Sequence, residues 1–137
     1  MILVDTGPLI AIADTDDQDH ERSLEALGNA VGPLLIPSTV VVEVCYLLER
    51  QLGSPAEAAF LRSFSEGSFT LAHPTLSYID RMASLIETYA DLPLGSVDAS
   101  LIAMAERLGV TEIATLDRRH FTVVRPRHTD AFAIIPG

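Results

Sequence analysis

Lysine is absent from this chain: all nine of its basic residues are arginine. That absence removes two large classes of chemistry. A Walker-type phosphate loop uses a lysine to reach the phosphates, and Schiff-base catalysis needs a lysine amine. Cysteine is nearly absent as well. The single Cys45 excludes an internal disulfide framework and suits a reducing cytosol. Set among Val44, Tyr46 and Leu47, it reads as a small core hydrophobe. No basic segment precedes an apolar stretch, so no secretory leader is expected. The longest apolar region, around residues 34–48, contains Pro37 and Glu43 and is not expected to span a membrane. From these absences a cytoplasmic protein is expected. Positive charge is also scarce. Nine arginines against nineteen acids give a formal charge of −10, a balance that ordinarily disfavours nucleic acid.

The charge is unevenly spread. Arg118, Arg119, Arg125 and Arg127 fall in one ten-residue stretch with His120 and His128 beside them, whereas acids cluster from Asp14 to Glu25. With 137 residues, 48% of them hydrophobic, the chain reads as one domain over residues 1–137 with a substantial core. Short apolar runs alternate with helical patterns. Residues 2–5, Leu34-Leu35-Ile36, Phe69-Thr70-Leu71, 112–116 and 131–135 read as strands. Between them lie helical segments with Pro8 in a first turn, Ser38 and Ser96 as caps, and Gly53 and Gly109 as stops. Ser54-Pro55-Ala56-Glu57 has the form of a capping box. Helical periodicity recurs over 75–90. Strands separated by helices predict an α/β fold, with a central, mostly parallel sheet of about four or five strands covered by helices on both faces.

Four acids stand where acids are poorly placed for stability. Asp5 ends the apolar run Ile2-Leu3-Val4, and Glu43 interrupts Val40-Val41-Val42 and Val44-Cys45. Asp98 falls in the first turn of an apolar helix, and Asp117 ends Ile113-Ala114-Thr115-Leu116. A carboxylate in apolar surroundings is costly unless paired or bound to a cation. Each also has a plain explanation: Asp5 and Asp117 as turn or cap residues, Glu43 as an ion-paired or snorkelling side chain, Asp98 as a favourable charge at a helix start. Each explanation suffices alone, but all four acids coinciding at strand ends and adjoining helices is far less expected from them. Ligands of open α/β sheets bind beyond the carboxyl ends of the strands. Oxygen donors without paired cysteines or histidine spacing suit Mg²⁺ or Mn²⁺, the ions of phosphoryl chemistry. Thr6 is a hydroxyl able to steady Asp5 or a bound water. His20, His73, His120 and His128 show no helical pairing and are expected at the surface. Arg118 and Arg119, immediately after Asp117, are candidate contacts to nucleic-acid phosphates, within a basic segment running to Arg127.

The ordered set Ile2-Leu3-Val4-Asp5-Thr6, Glu43, Asp98-Ala99 and Thr115-Leu116-Asp117-Arg118-Arg119-His120-Phe121 resembles the PIN-domain ribonucleases, in particular the VapC-type toxins of bacterial toxin–antitoxin pairs. The resemblance spans essentially the whole chain. It implies a single PIN-like domain and a Mg²⁺- or Mn²⁺-dependent endoribonuclease acting on RNA. It also implies inhibition by a small cognate antitoxin, and commonly a homodimer. By position, Asp5, Glu43, Asp98 and Asp117 are the acidic quartet, with Asp5, Asp98 and Asp117 on the metal and Thr6 and Thr115 supporting them. Where some relatives carry a further acid, this chain has His120. A haloacid-dehalogenase-like phosphatase or a phosphorylated receiver domain fits less well. The former needs an Asp at position 7, which is Gly7, and both use a lysine. A catalytically silent PIN fold that only binds RNA or protein is the remaining alternative.

Overall fold

A computed structural model describes residues 1–137. Five strands, β1 (Ile2–Val4), β2 (Leu34–Pro37), β3 (Thr70–Ala72), β4 (Glu112–Ala114) and β5 (Ala133–Ile135), form one sheet in the order β3-β2-β1-β4-β5. Every pairing is parallel. Seven helices connect them: α1 (Thr6–Ala13), α2 (His20–Gly28), α3 (Ser38–Leu52), α4 (Ser54–Ser65), α5 (Leu76–Thr88), α6 (Ser96–Leu108) and α7 (Arg118–Val123).

The central strand explains the architecture. Successive side chains of a strand point to opposite faces. Ile2, Leu3 and Val4 are nevertheless all essentially inaccessible, so both faces of the sheet are covered. Leu3 pairs with Leu35 on one side and Ile113 on the other. Helix α6 is equally enclosed: its residues from Ala99 to Ala105 are all buried, and it packs on α5, α3 and β1. Small residues at Ala99, Ser100, Ala103 and Ala105 let these neighbours approach closely. No helix is long and apolar enough to cross a membrane.

Several local expectations shift by a residue or more. Ser38, Ser54 and Ser96 are first helical residues rather than side-chain caps; Pro37, Gly53 and Gly95 occupy the cap positions. The cause at Ser54 is spacing. Gly53 alone separates α3 from α4, at φ 91° and ψ 175°, and its carbonyl accepts the Glu57 N–H. Gly53 is the residue left outside the helix, and it has no side chain with which to close a capping box. The strands expected over 112–116 and 131–135 are shorter, at Glu112–Ala114 and Ala133–Ile135. Helix α7 has no counterpart in the sequence pattern, because its six residues are too few to display a helical period.

The strand order reverses direction about β1: the chain passes from β1 to β2 and β3 on one side, then returns to β4 and β5 on the other. The carboxyl ends of β1 and β4 therefore flank a topological switch point, the usual place for a binding crevice in such sheets. Asp5 follows β1 directly, and Thr115 follows β4.

Candidate metal centre

Asp5 is the most constrained of the four acids. It is 7% exposed and serves as the N-cap of α1. Its Oδ1 accepts the Thr6 N–H at 2.7 Å, and its Oδ2 accepts the Thr115 hydroxyl at 2.8 Å. Thr115 in turn accepts the Asp117 N–H at 3.0 Å, so one buried hydroxyl joins the acids at the ends of the two central strands. Gly7 allows the first turn of α1 to close on this strand end: a Cβ there would lie 3.2 Å from Leu116 Cβ.

The other acids arrive on helices. Asp98 sits in the first turn of α6 and is half-buried. Glu43 is half-buried on α3. Thr39, one turn before Glu43 on the same helical face, shares a 2.6 Å hydrogen bond with Ser100, two residues after Asp98. That bond fixes the two acid-bearing helices against each other. Asp117 caps α7, its Oδ1 accepting the His120 N–H at 3.4 Å.

These residues meet in one cleft of about 800 Å³, lined by Asp5, Thr6, Glu43, Asp98, Leu116 and Asp117 together with Gly7 and the turn at residues 95–97. Four carboxylates face it and no arginine lines it. The electrostatic consequences follow. Burial pushes the Asp5 carboxyl up to about 6, opposed by its hydrogen bonds from Thr115 and Thr6 and reinforced by Asp98 and Glu43. Asp98 is raised too, first by burial; His120 opposes the shift, while Asp117 and Glu43 add to it. Asp98 is thus the common neighbour, coupled to Asp5 and Glu43 on one side and to Asp117 and His120 on the other.

The donor set fits a divalent cation. Carboxylate oxygens converge without a lysine or arginine to neutralise them, and the buried Thr6 hydroxyl has no hydrogen-bond partner. One donor atom each from Asp98, Asp117 and His120 lie within 4.8 Å of one another.

Comparisons with known proteins identify the family. The sequence profile of the PIN domain family matches residues 2–125. The chain belongs to the PIN domain family. Ribonuclease VapC26 of Mycobacterium tuberculosis is 33% identical over 135 residues, covering 98% of this chain and all of that protein. Two solved structures share the fold. VapC20 of M. tuberculosis, a sarcin-ricin loop cleaving toxin, has a TM-score of 0.77 at 19% identity, over 82% of this chain and 87% of its own. The Rickettsia felis VapBC2 complex, bound to a DNA fragment from its promoter, has a TM-score of 0.70 at 14% identity, over 98% of this chain and 97% of the other. The expected single-domain α/β PIN fold with a parallel sheet is therefore observed.

Two features of this PIN site differ from the sequence reading. Of the histidines expected at the surface, only His73 is exposed. His20 Nδ1 bonds the Ala11 carbonyl at 2.8 Å, His128 Nε2 bonds the Val110 carbonyl at 2.6 Å, and His120 turns onto the acids. The approach of His120 runs through α7, and its i, i+3 spacing from Asp117 is the one signal the sequence offers. The basic stretch also divides. Arg118 and Arg119 are exposed beside Asp117, with Arg118 Nη1 reaching the Pro136 carbonyl at 3.4 Å. Arg127 instead joins Glu106 near the far end of α6, where its N–H meets Glu106 Oε2 at 2.8 Å. Arg118 and Arg119 directly follow the cleft residue Asp117, whereas Arg127 lies beside Glu106. Thr39 and Ser100 carry no signal in the sequence beyond the place of Thr39, one helical turn from Glu43.

Proposed function

We propose that this PIN-domain chain is a metal-dependent endoribonuclease, the toxin of a toxin–antitoxin pair, hydrolysing RNA phosphodiester bonds. The observation that carries this reading is the cleft of four carboxylates at the switch point of the sheet, in a chain one-third identical to a named ribonuclease along its full length. Asp5, Asp98 and Asp117 would hold the cation, Mg²⁺ or Mn²⁺ by their oxygen donors. When bound, the ion supplies charge to offset that developing on the phosphate and makes a coordinated water more acidic.

The protein residues supply the rest. Thr115 and the Thr6 N–H hold the Asp5 carboxylate in one orientation, so no reorientation is required when substrate arrives. Glu43, half-buried and at the cleft wall, would accept a proton from an attacking water. Arg118 and Arg119 are exposed at the start of α7 and would contact phosphates flanking the scissile bond. Relatives of the same fold include toxin–antitoxin complexes, VapBC2 of R. felis among them. They support a small cognate antitoxin as partner; a homodimeric toxin acting in the cytoplasm completes the proposal.

The test is cleavage of RNA by purified protein with and without Mn²⁺ or Mg²⁺, beside Asp5→Asn and Asp98→Asn. Loss of cleavage on chelation and in both variants, with folds retained, is the expected result. Cutting at the wild-type rate by either variant would reject the assignment. A wild type that binds RNA but never cuts it, with either ion, would leave the silent-binder alternative.

A further inference from the structure

His120 stands at the edge of the acidic cleft in an arrangement that hydrogen bonding does not explain. Its Nδ1 lies 3.1 Å from Asp98 Oδ2 and 2.5 Å from Asp117 Oδ2. The atom is buried, yet neither approach has hydrogen-bond geometry. A buried imidazole nitrogen between two carboxylates, aimed squarely at neither, is placed as one of three donors around a shared centre. The spacing is compatible with one ion. Metal–ligand bonds of about 2.0–2.2 Å set neighbouring donors roughly 3 Å apart. The Asp98 oxygen already meets that distance, and the Asp117 oxygen needs to draw back slightly.

The position is also built into the fold. Phe121, next to His120, is 1% exposed and packs edge-on against Phe132 at 6.4 Å, anchoring α7. Asp117 receives the His120 N–H, and Thr115 receives the Asp117 N–H. The backbone of His120, rather than its ring, is thereby tied through two hydrogen bonds to the same threonine that holds Asp5.

We infer that His120 is a metal ligand, which with Asp98 and Asp117 makes a nitrogen-containing half of the centre that favours Mn²⁺ over Mg²⁺. This rests on the metal-centre reading above. The physical reason is donor type. Mg²⁺ takes oxygen ligands and holds its waters tightly, whereas imidazole nitrogen suits transition ions. The other half, Asp5 and the shared Asp98 beside the proton-accepting Glu43, offers oxygen alone. The two halves therefore differ in the ion each prefers.

The experiment uses the full chain loaded with one equivalent of Mn²⁺ and read by pulsed electron paramagnetic resonance. Calorimetric titrations with Mn²⁺ and with Mg²⁺ accompany it. The expected spectrum shows directly coordinated nitrogen in the wild type and none in His120→Ala. Removing a group that merely orients a ligand costs roughly 10–100-fold in metal affinity, so the preference for Mn²⁺ over Mg²⁺ should fall at least tenfold in that variant. His120→Asp, which returns an oxygen, should bind both ions without the nitrogen signal and with the preference reduced. A wild-type spectrum without coordinated nitrogen overturns the inference, whatever the variants do. So does an unchanged Mn²⁺ preference in His120→Ala. Asp98→Asn separates the two levels. If it abolishes Mn²⁺ binding while wild-type Mn²⁺ shows no nitrogen, the acidic centre stands and only His120 is rejected. Undiminished Mn²⁺ binding by Asp98→Asn rejects both.

Discussion

Removing the Asp5 charge should stabilise the metal-free protein while destroying its activity. The Asp5 carboxyl titrates near 6 in the fold, chiefly because it is buried, against 3.8 in an unfolded chain. Between those values the folded state holds a proton that the unfolded state has released, so stability declines as pH rises across the window. Below about pH 3.8 Asp5 causes no penalty; above about 6 the penalty is complete. The gap between those two values corresponds to about 3 kcal/mol at neutral pH, an upper figure for one group. Asn keeps the shape and can still accept the Thr6 N–H through its oxygen. Its amide, however, must donate to Thr115 Oγ1, which already accepts the Asp117 N–H and then has to turn its own proton elsewhere. That rearrangement costs about 1 kcal/mol. Asp5→Asn without metal should therefore be about 1–2 kcal/mol more stable than wild type at pH 7.5 and slightly less stable at pH 4. Urea unfolding in a chelator at the two pH values gives both numbers. A saturating divalent ion should reverse the order at pH 7.5, because binding to the folded state alone stabilises it by mass action. A variant less stable than wild type at pH 7.5 in chelator would refute the idea that Asp5 is a strained carboxylate.

Mn²⁺ or Mg²⁺ should raise the melting temperature of the wild type and leave a protein carrying Asp5→Asn and Asp98→Asn nearly unmoved; equal shifts would mean the ions act elsewhere. Thr115→Val should destabilise by about 1–3 kcal/mol, since it strips Asp5 of a donor and leaves the Asp117 N–H without its acceptor; denaturant titration measures this. Arg118→Ala with Arg119→Ala, in the inactive Asp98→Asn background, should weaken binding of all single-stranded RNAs alike. The salt slope should fall by roughly 0.7 for each phosphate that is no longer neutralised. Unchanged binding across salt would remove both arginines from the RNA site. Far from the cleft, Arg81 bonds Glu106 in two-pronged fashion at 2.7 and 3.0 Å. Burial pushes the Glu106 carboxyl up, but the hydrogen bonds and charges of Arg81 and Arg127 together outweigh it and hold the group below its ordinary value. Arg81→Leu should cost about 1–2 kcal/mol at pH 7 by urea unfolding, a deficit that shrinks in acid, where the lowered carboxylate is protonated and its contribution disappears.

Much of this protein is legible in one dimension because the signals are local. Apolar runs at Ile2–Val4 and Leu34–Ile36 alternate with helical periods, and buried parallel strands require that alternation. Asp5 and Asp117 stand out because each ends an apolar run, and Glu43 because it interrupts one. The absence of lysine removes rival chemistries without reference to any structure. Helix starts at Ser38, Ser54 and Ser96 fall one residue away from expectation, since a cap depends on the backbone of the preceding residue, and Gly53 and Gly95 already take that place. What tertiary structure alone decided was convergence. Thr115 reaches Asp5 across 110 residues, and Thr39 reaches Ser100 across 61. No periodicity encodes such pairings, because they exist only once β1 lies beside β4 and α3 against α6. The same holds for His120, for which the sequence offers no more than its place three residues after Asp117. Its role depends on α7, a helix too short to announce itself, folding back on the packing of Phe121 and bringing an imidazole nitrogen between two carboxylates.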